Sequence, residues 1–359
     1  MSTLTIDRIS KSFGSVKALK SVSFEAKNGE FVVIVGPSGA GKTTTLNCIA
    51  GIEFPEKGTI LIDGVDETMT PPQDRDVAMV FETYALYPQK TVKENLAFPL
   101  RSPKYRKDES EIESRIERVS KLLAIDMLLD RLPRQLSQGQ RQRVSLGRAL
   151  VREPRLYLFD EPISHLDAKL RNAMRRELKR IRASLSQTTI YVTHDYLEAL
   201  SLADRVVVLF QGEVLQFDQK ETVYNLPAAT EVGQLFGDPP MMFFDGKITD
   251  TGDFVMEDNT FTVSASCISG KVPVGHELTL GLRPTELLLA EKGKGQVTGD
   301  VYSVQNQFDM QLVTIRANDH LLDVIAPISI SIAEDEKASL QIPEESCYFF
   351  DRATHKVIN

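Results

Sequence analysis

The sequence predicts an α/β domain over residues 1–236 followed by a smaller all-β domain over residues 237–359. Three observations predict it. Short apolar runs alternate with amphipathic stretches through the first part. A Gly-rich turn, Gly36–Thr43, stands between one such run and the next. After the breaker cluster Asp238-Pro239-Pro240, helical spacing gives way to short β-rich runs. A chain of 359 residues also favours two domains over one.

In chain order, Leu4–Ile9, Val22–Ala26 and Phe31–Val35 read as strands, and Lys42–Ala50, behind the Gly-rich turn, as a helix. Thr59–Ile62 and Val77–Phe81 are again strand-like. Glu109–Leu123 and Gln138–Val151 carry apolar residues three to four apart and are expected helices. Leu156–Phe159 and Thr189–Val192 are short, mostly apolar runs of the kind a parallel strand shows when both faces are covered. The charged stretch Asp167–Leu185 between them is an expected long helix. Residues 91–152 read as an inserted helical region. Beyond Gly237, Met242–Ile248, Glu277–Leu282, Gln296–Val301, Gln311–Ile315, Leu321–Ile325 and Cys347–Phe350 are expected strands of a small barrel or sandwich, separated by Gly, Asp and Asn turns.

Composition narrows the function. Hydrophobic residues make up 42% and charged residues 26%, enough for an ordinary core. No apolar run nears the ~18–20 residues of a membrane span, and Met1–Ser10 lacks a basic-then-apolar leader pattern. The expectation is a cytosolic chain that meets a membrane only through a partner. Cys48, Cys267 and Cys347 are odd in number and far apart, which fits three reduced thiols rather than a disulfide framework or zinc site. The second domain holds 19 acidic and 9 basic residues, against a net charge of −8 for the whole chain. So acidic a domain is a poor polyanion binder and argues against nucleic acid as a partner.

Gly36-Pro37-Ser38-Gly39-Ala40-Gly41-Lys42-Thr43 matches Gly-x4-Gly-Lys-Ser/Thr in full, with an expected strand before it and a helix after it. The glycines let backbone N–H groups approach phosphate oxygens, and the helix N-terminus adds its dipole. Lys42 supplies a point charge for the β- and γ-phosphates, and the Thr43 hydroxyl a ligand for Mg²⁺. The nucleotide-binding set is therefore residues 36–43 with the adjoining Thr44, and the expected cofactors are ATP and Mg²⁺.

Leu156–Phe159 ends in Asp160-Glu161. A carboxylate at the C-terminal end of a buried strand lies where open α/β sheets bind ligands, so Asp160 is a candidate Mg²⁺ ligand. Glu161 beside it is a candidate general base for an attacking water. Alone, the run is equally a strand before a solvated acidic turn. His194 closes the strand at Thr193 and is the candidate contact of the γ-phosphate; a lone histidine there is otherwise an ordinary polar strand end.

Leu136-Ser137-Gln138-Gly139-Gln140, at the start of an expected helix, resembles the Leu-Ser-Gly-Gly-Gln signature of ATP-binding cassette (ABC) proteins. The order phosphate loop, signature, acidic strand, Ser164-His165-Leu166-Asp167, His194 is also that family's order, and the resemblance covers about Leu4 to Phe236. It implies a phosphate-loop cassette with a RecA-like core and a helical subdomain. It further implies two cassettes packed head to tail, with each ATP between one chain's phosphate loop and the other's signature. Ser137, Gln138, Gly139 and Gln140 would then lie over the partner's ATP, and Asp167 in the loop that crosses the interface. Phe13 matches the family's adenine-stacking aromatic, usually tyrosine.

Met79-Val80-Phe81-Glu82-Thr83-Tyr84-Ala85-Leu86-Tyr87-Pro88 resembles the family's Q-loop with Glu82 in place of glutamine. The family glutamine implies a place for Glu82 near Mg²⁺. An ionised glutamate only accepts hydrogen bonds, so the change implies either a tighter metal or a slower, differently coupled site. Gln138 replaces a family glycine. Together the two changes leave open a pairing with a non-identical cassette.

Pro239–Ile248 and Gly281-Leu282-Arg283-Pro284 resemble the regulatory domain of sugar-importer ATPase subunits, those of the maltose and glycerol-3-phosphate importers included. That resemblance implies oligonucleotide/oligosaccharide-binding (OB, TOBE) β modules that extend the dimer or bind a regulator. It also implies a peripheral place on the cytoplasmic face of the membrane, two membrane permease subunits, and indirectly an extracytoplasmic solute-binding protein. The solute would be a carbohydrate, polyol or glycerol-phosphate compound. Ala85, Leu86, Tyr87 and Leu96 are expected to form an apolar groove for a short helix of each permease. Two other readings stand beside this one: a weakly active nucleotide-binding half of a heterodimer, and a soluble ABC protein acting on DNA or ribosomes.

Overall fold

The computed structural model describes residues 2–358 except 165, 185 and 292. His165, within the run before Asp167, and Leu185, the expected last residue of the long charged helix, lie outside the described residues. The chain divides into two compact units, Met1–Val223 and Tyr224–Asn359.

The first unit opens with strands β1 (Leu4–Phe13), β2 (Val16–Ala26) and β3 (Phe31–Val35), then helix α1 (Lys42–Ala50), β4 (Lys57–Ile62), β5 (Val65–Asp66) and β6 (Val77–Val80). The helical insert carries α2 (Val92–Ala97), α3 (Glu109–Leu122) and α4 (Gln138–Leu150). The chain then runs through β7 (Leu156–Asp160), α5 (Ala168–Ser184), β8 (Thr188–Thr193), α6 (Tyr196–Leu202), β9 (Arg205–Phe210) and β10 (Glu213–Gln219). Helices α7 (Lys220–Asn225) and α8 (Thr230–Leu235) come next.

Two sheets organise this unit. One is antiparallel, in the order β2-β1-β4-β5; the other runs β10-β9-β3-β8-β7-β6, parallel except for β10. Phe31–Val35 and Leu156–Asp160 are buried at every position, the burial a central parallel strand imposes and the reason these runs show no polar alternation. A single core fills the space between the sheets, with Ile6, Val22 and Ile60 from one, Ile34, Leu158 and Val192 from the other, and Leu46 and Ile49 of α1 among them. β9 and β10 lie outside the set of strands expected from sequence; they lengthen the sheet on the β3 side.

Arg75 is fully buried in this unit. It donates to the carbonyls of Cys48 at 2.6 Å and Ile49 at 2.8 Å, in the last turn of α1, and to those of Thr68 and Thr70. The helix therefore has a cation at its negative end, where the dipole favours one.

The second unit packs two five-stranded antiparallel sheets about one core. The first holds β11 (Met242–Ile248), β12 (Asp253–Met256), β13 (Thr262–Ser264), β14 (Glu277–Leu282) and, at its edge, the last strand, β20 (Cys347–Asp351). The second holds β15 (Leu288–Ala290), β16 (Val297–Gln307), β17 (Met310–Ala317), β18 (His320–Pro327) and β19 (Lys337–Gln341). The two runs that carry the C-terminal resemblance are neighbours: β11 pairs β14, with Met242 opposite Leu282. Residues 224–236, read from sequence as the end of the first domain, group with this second unit. Buried Arg283 explains it: the guanidinium donates to the carbonyls of Phe236 and Tyr224 and lies 4.2 Å from the Tyr224 ring centre.

Candidate active site

The register of the parallel sheet assembles the site. Val35 at the end of β3 pairs with Thr193 of β8, and Val192 of β8 pairs with Asp160 of β7. The three strands therefore end level, and the turn 36–42, Glu161 and His194 all emerge at one edge of the sheet. Ligands of open α/β sheets bind at this edge.

The turn ends in Gly41, at φ +101°, which is the N-cap of α1 and offers no side chain to its first-turn N–H groups. Those donors are left for an anion. A side chain at Gly41 would be strained and would also meet the Ala18 carbonyl at 2.6 Å. Pro37, Ser38 and Gly39 are exposed, whereas Gly36 and Ala40 are buried. Lys42 is buried, and its ammonium donates to the carbonyls of Gly36 and Pro37, 3.0 Å each. Thr43 Oγ1 donates to Asp160 Oδ1 at 3.0 Å.

Glu161 sits between Lys42 and His194. Its Oε1 lies 3.5 Å from Lys42 Nζ and its Oε2 lies 2.8 Å from His194 Nδ1. A cleft of about 580 Å³ opens here, lined by Val16, Ser38, Lys42, Thr43, Glu82 and Glu161 among others. Burial pushes the Asp160 carboxyl up to about 6. The negative charges of Glu161 and Glu82 add to that shift, while the Thr43 hydroxyl and Lys42 oppose it.

These residues fit a magnesium ion in their chemistry. A buried carboxylate and a hydroxyl in contact supply the hard oxygen donors it takes, and Mg²⁺ keeps waters and substrate phosphates for its remaining positions. Among the described residues no group of three His, Cys, Asp or Glu side chains could hold a metal unaided.

The remaining predicted residues lie off this cleft. Phe13 ends β1 beside Val16 and is 47% exposed, with Lys11 Nζ 5.2 Å from its ring centre. Its hairpin partner strand reaches the cleft through Val16, Lys17 and Ala18. Ser137 is the N-cap of α4, in a capping box: its hydroxyl accepts from the Gln140 N–H, and Gln140 Oε1 accepts from the Ser137 N–H at 2.9 Å. Ser137 and Gln138 are exposed, and Gly139 is buried where a Cβ would meet Leu170 at 2.9 Å. Asp167 is exposed and accepts the Leu170 N–H at 2.9 Å, closing the first turn of α5. Gln211 lines the cleft without having been singled out. It sits in the β9–β10 turn, 169 residues from Lys42 in the chain, and carries no motif.

The expected permease groove needs a correction. Leu96 is fully buried, because α2 turns that face onto the helical insert, and so lines no surface. A cleft of about 590 Å³ does open beside it, walled by Tyr87, Phe98, Pro99, Met79, Phe81 and Arg148 with polar neighbours. The Tyr87 and Phe98 rings lie 4.4 Å apart, and the Arg148 guanidinium lies 5.4 Å from the Tyr87 ring centre.

The profile of the ABC transporter family matches residues 19–164. The trehalose/maltose import ATP-binding protein MalK of Thermococcus litoralis is 41% identical over 363 aligned positions, 97% of either chain. The sulfoquinovosyl glycerol transport ATP-binding protein SmoE of Agrobacterium fabrum is 38% identical over the whole of both chains. The sn-glycerol-3-phosphate import ATP-binding protein UgpC of Ruegeria pomeroyi is 40% identical over 100% of this chain and 99% of its own. Among solved structures, a dimeric ATP-binding cassette in a post-hydrolysis state bound to ADP and Pi is 33% identical, with a TM-score of 0.54 over 60% of this chain and 98% of that one.

Proposed function

This chain belongs to the ATP-binding subunits of ABC transporters, and from that premise we propose that it drives uptake of a carbohydrate, polyol or glycerol-phosphate-type solute through separate membrane permeases. It is an ATPase on the cassette fold, and it works with a second cassette and membrane subunits. The solute class is supported by the hydroxyl-rich compounds in the names of its relatives. An extracytoplasmic binding protein delivers the solute, and the chain lies on the cytoplasmic face of the membrane. No helix among the described residues is long and apolar enough to cross it.

The cassette, with the helical insert at 91–152, spans residues 1–223, residues 224–236 group with the second unit, and residues 237–359 are an OB-type (TOBE) regulatory domain. Gly36–Thr44 and Phe13 hold ATP. Thr43, Asp160 and Glu82 face Mg²⁺, which supplies charge neutralisation at the β- and γ-phosphates when bound. Glu161 orients and polarises the attacking water, and His194 contacts the γ-phosphate through Nε2, the ring nitrogen not engaged by Glu161. The Ser137–Gln140 start of α4, exposed at Ser137 and Gln138, covers the partner's ATP, with Asp167 at the same interface. The cleft of Tyr87 and Phe98 receives a permease helix.

One observation carries the assignment of the base: Glu161 stands at the level strand ends, one oxygen toward Lys42 and the other toward His194. Phosphate release by the full chain assembled with its membrane subunits tests it. Glu161→Gln is expected to slow release about 10²–10⁴-fold while nucleotide is still bound. Release at the wild-type rate would overturn the assignment.

A further inference from the structure

Glu161 has a backbone φ of +42°, uncommon for a residue with a side chain. Such a conformation persists where its surroundings hold it. Its N–H donates to the Val192 carbonyl at 3.0 Å, and its own carbonyl accepts from Ser164 Oγ at 3.0 Å. The next carbonyl, that of Pro162, accepts from Gln142 Nε2. Gln142 is fully buried in the second turn of α4, and its amide oxygen has no hydrogen-bond partner. An apolar side chain of similar volume would avoid that unmet oxygen, so packing alone does not account for an amide at this place.

Further along, α4 grips a second stretch of left-handed backbone. Ser145 Oγ donates to the Tyr84 carbonyl at 2.9 Å, and Arg148 donates to the carbonyls of Tyr84 at 3.1 Å and Ala85 at 2.5 Å. Tyr84 and Ala85 have φ of +63° and +45° and stand two and three residues beyond Glu82. One rigid helix thus begins at Ser137 and holds, by side-chain bonds to backbone oxygens, both segments that present acidic side chains to the chain's own cleft.

We propose that Gln142 is a positioning residue for Glu161, through which α4 links the Ser137 end, over the partner's nucleotide, to the base of the chain's own site. A shift of α4 when Ser137 engages a phosphate moves the Pro162 carbonyl and with it Glu161. The inference rests on the reading of Glu161 as general base. A misplacement of about 1 Å at a reacting group is enough to cost ~10²-fold in rate.

The test uses the full chain assembled with its membrane subunits, measuring phosphate release, ATP affinity and thermal melting for three variants. Gln142→Met is expected to lower kcat about 10- to 100-fold with KM for ATP and melting temperature near wild type. Gln142→Glu is expected to be as slow at pH 8 and to recover toward wild type as pH falls toward 6, because only the protonated acid donates to the Pro162 carbonyl. Wild-type kcat from Gln142→Met, a loss matched by equal losses of ATP affinity and stability, or a pH-independent Gln142→Glu would each overturn it. Glu161→Gln separates the two layers. If it is silent while Gln142→Met is unimpaired, the positioning role fails alone; if it turns over normally, the base assignment beneath it fails.

Discussion

The Thr43 hydroxyl donates to the Asp160 carboxylate across 3.0 Å, joining two residues 117 positions apart at the ends of neighbouring elements. Burial of Asp160 makes the proposed metal site sensitive to pH. Asp160 has a pKa raised to about 6, so its proton is bound more tightly in the folded chain than in the unfolded one. The group stabilises the nucleotide-free fold fully below the ordinary aspartate range, and that contribution is lost as pH rises through about 6. Metal binding runs the other way, because Mg²⁺ needs the carboxylate ionised. Half-saturating Mg²⁺ for ATP turnover should be flat above pH 7 and rise about tenfold per unit below 6. Titration calorimetry at several pH values checks this; a flat profile down to pH 5 would remove Asp160 from the metal.

Glu82 shares in that shift. In Glu82→Gln one negative charge leaves the cleft, so the Asp160 pKa should fall and the midpoint of the metal's pH dependence should move to lower pH. The same titration reads it. An unmoved midpoint means Glu82 does not sense the Asp160 charge.

Arg75 closes the C-terminal end of α1. Arg75→Leu strands the buried carbonyls of Cys48 and Ile49, at about 1 kcal/mol or more apiece, and removes the part-buried bonds to Thr68 and Thr70, so the first unit should lose about 2 kcal/mol or more. The midpoint of chemical denaturation checks it. A loss under about 1 kcal/mol would show that water replaces the guanidinium.

Phe98 is 44% exposed on the wall of the Tyr87 cleft. Phe98→Glu places a charge in that apolar wall, so co-purification with the membrane subunits should fail while ATP affinity of the separate chain stays unchanged. Retention of the complex would move the docking surface elsewhere.

Lys42 places its ammonium among the carbonyls of Gly36 and Pro37 and near Glu161. Lys42→Ala should weaken ATP binding at least tenfold, since a charge-assisted phosphate contact is worth about 1.5–3 kcal/mol. Fluorescence titration with a labelled ATP analogue measures it; unaltered affinity would undo the phosphate-loop assignment.

Much of the fold and of the chemistry could be read directly from residue order. The pattern of Gly36–Thr43, the apolar run ending in Asp160-Glu161, and the helical spacing of Gln138–Val151 are contiguous, and local geometry is set by neighbours a few residues apart. Hence β3 and α1 agree with the expected bounds, and the other expected elements shift chiefly at their ends.

Other features depend on residues far apart in the chain. The level ends of β3, β8 and β7 put Lys42, Glu161 and His194 in contact; no local pattern states that register. Leu96 looks like a surface anchor in sequence and is buried, because the pairing of α2 with its neighbours chooses its face. Gln142 is one polar residue among several in α4, and its bond to Pro162 exists only once the insert packs on the sheet. Propensity and motif act over a few bonds, whereas burial and hydrogen-bond partners are set by packing between distant segments. The chemistry this chain performs was therefore written in short runs, and the coupling between its parts arose in the folding of one run against another.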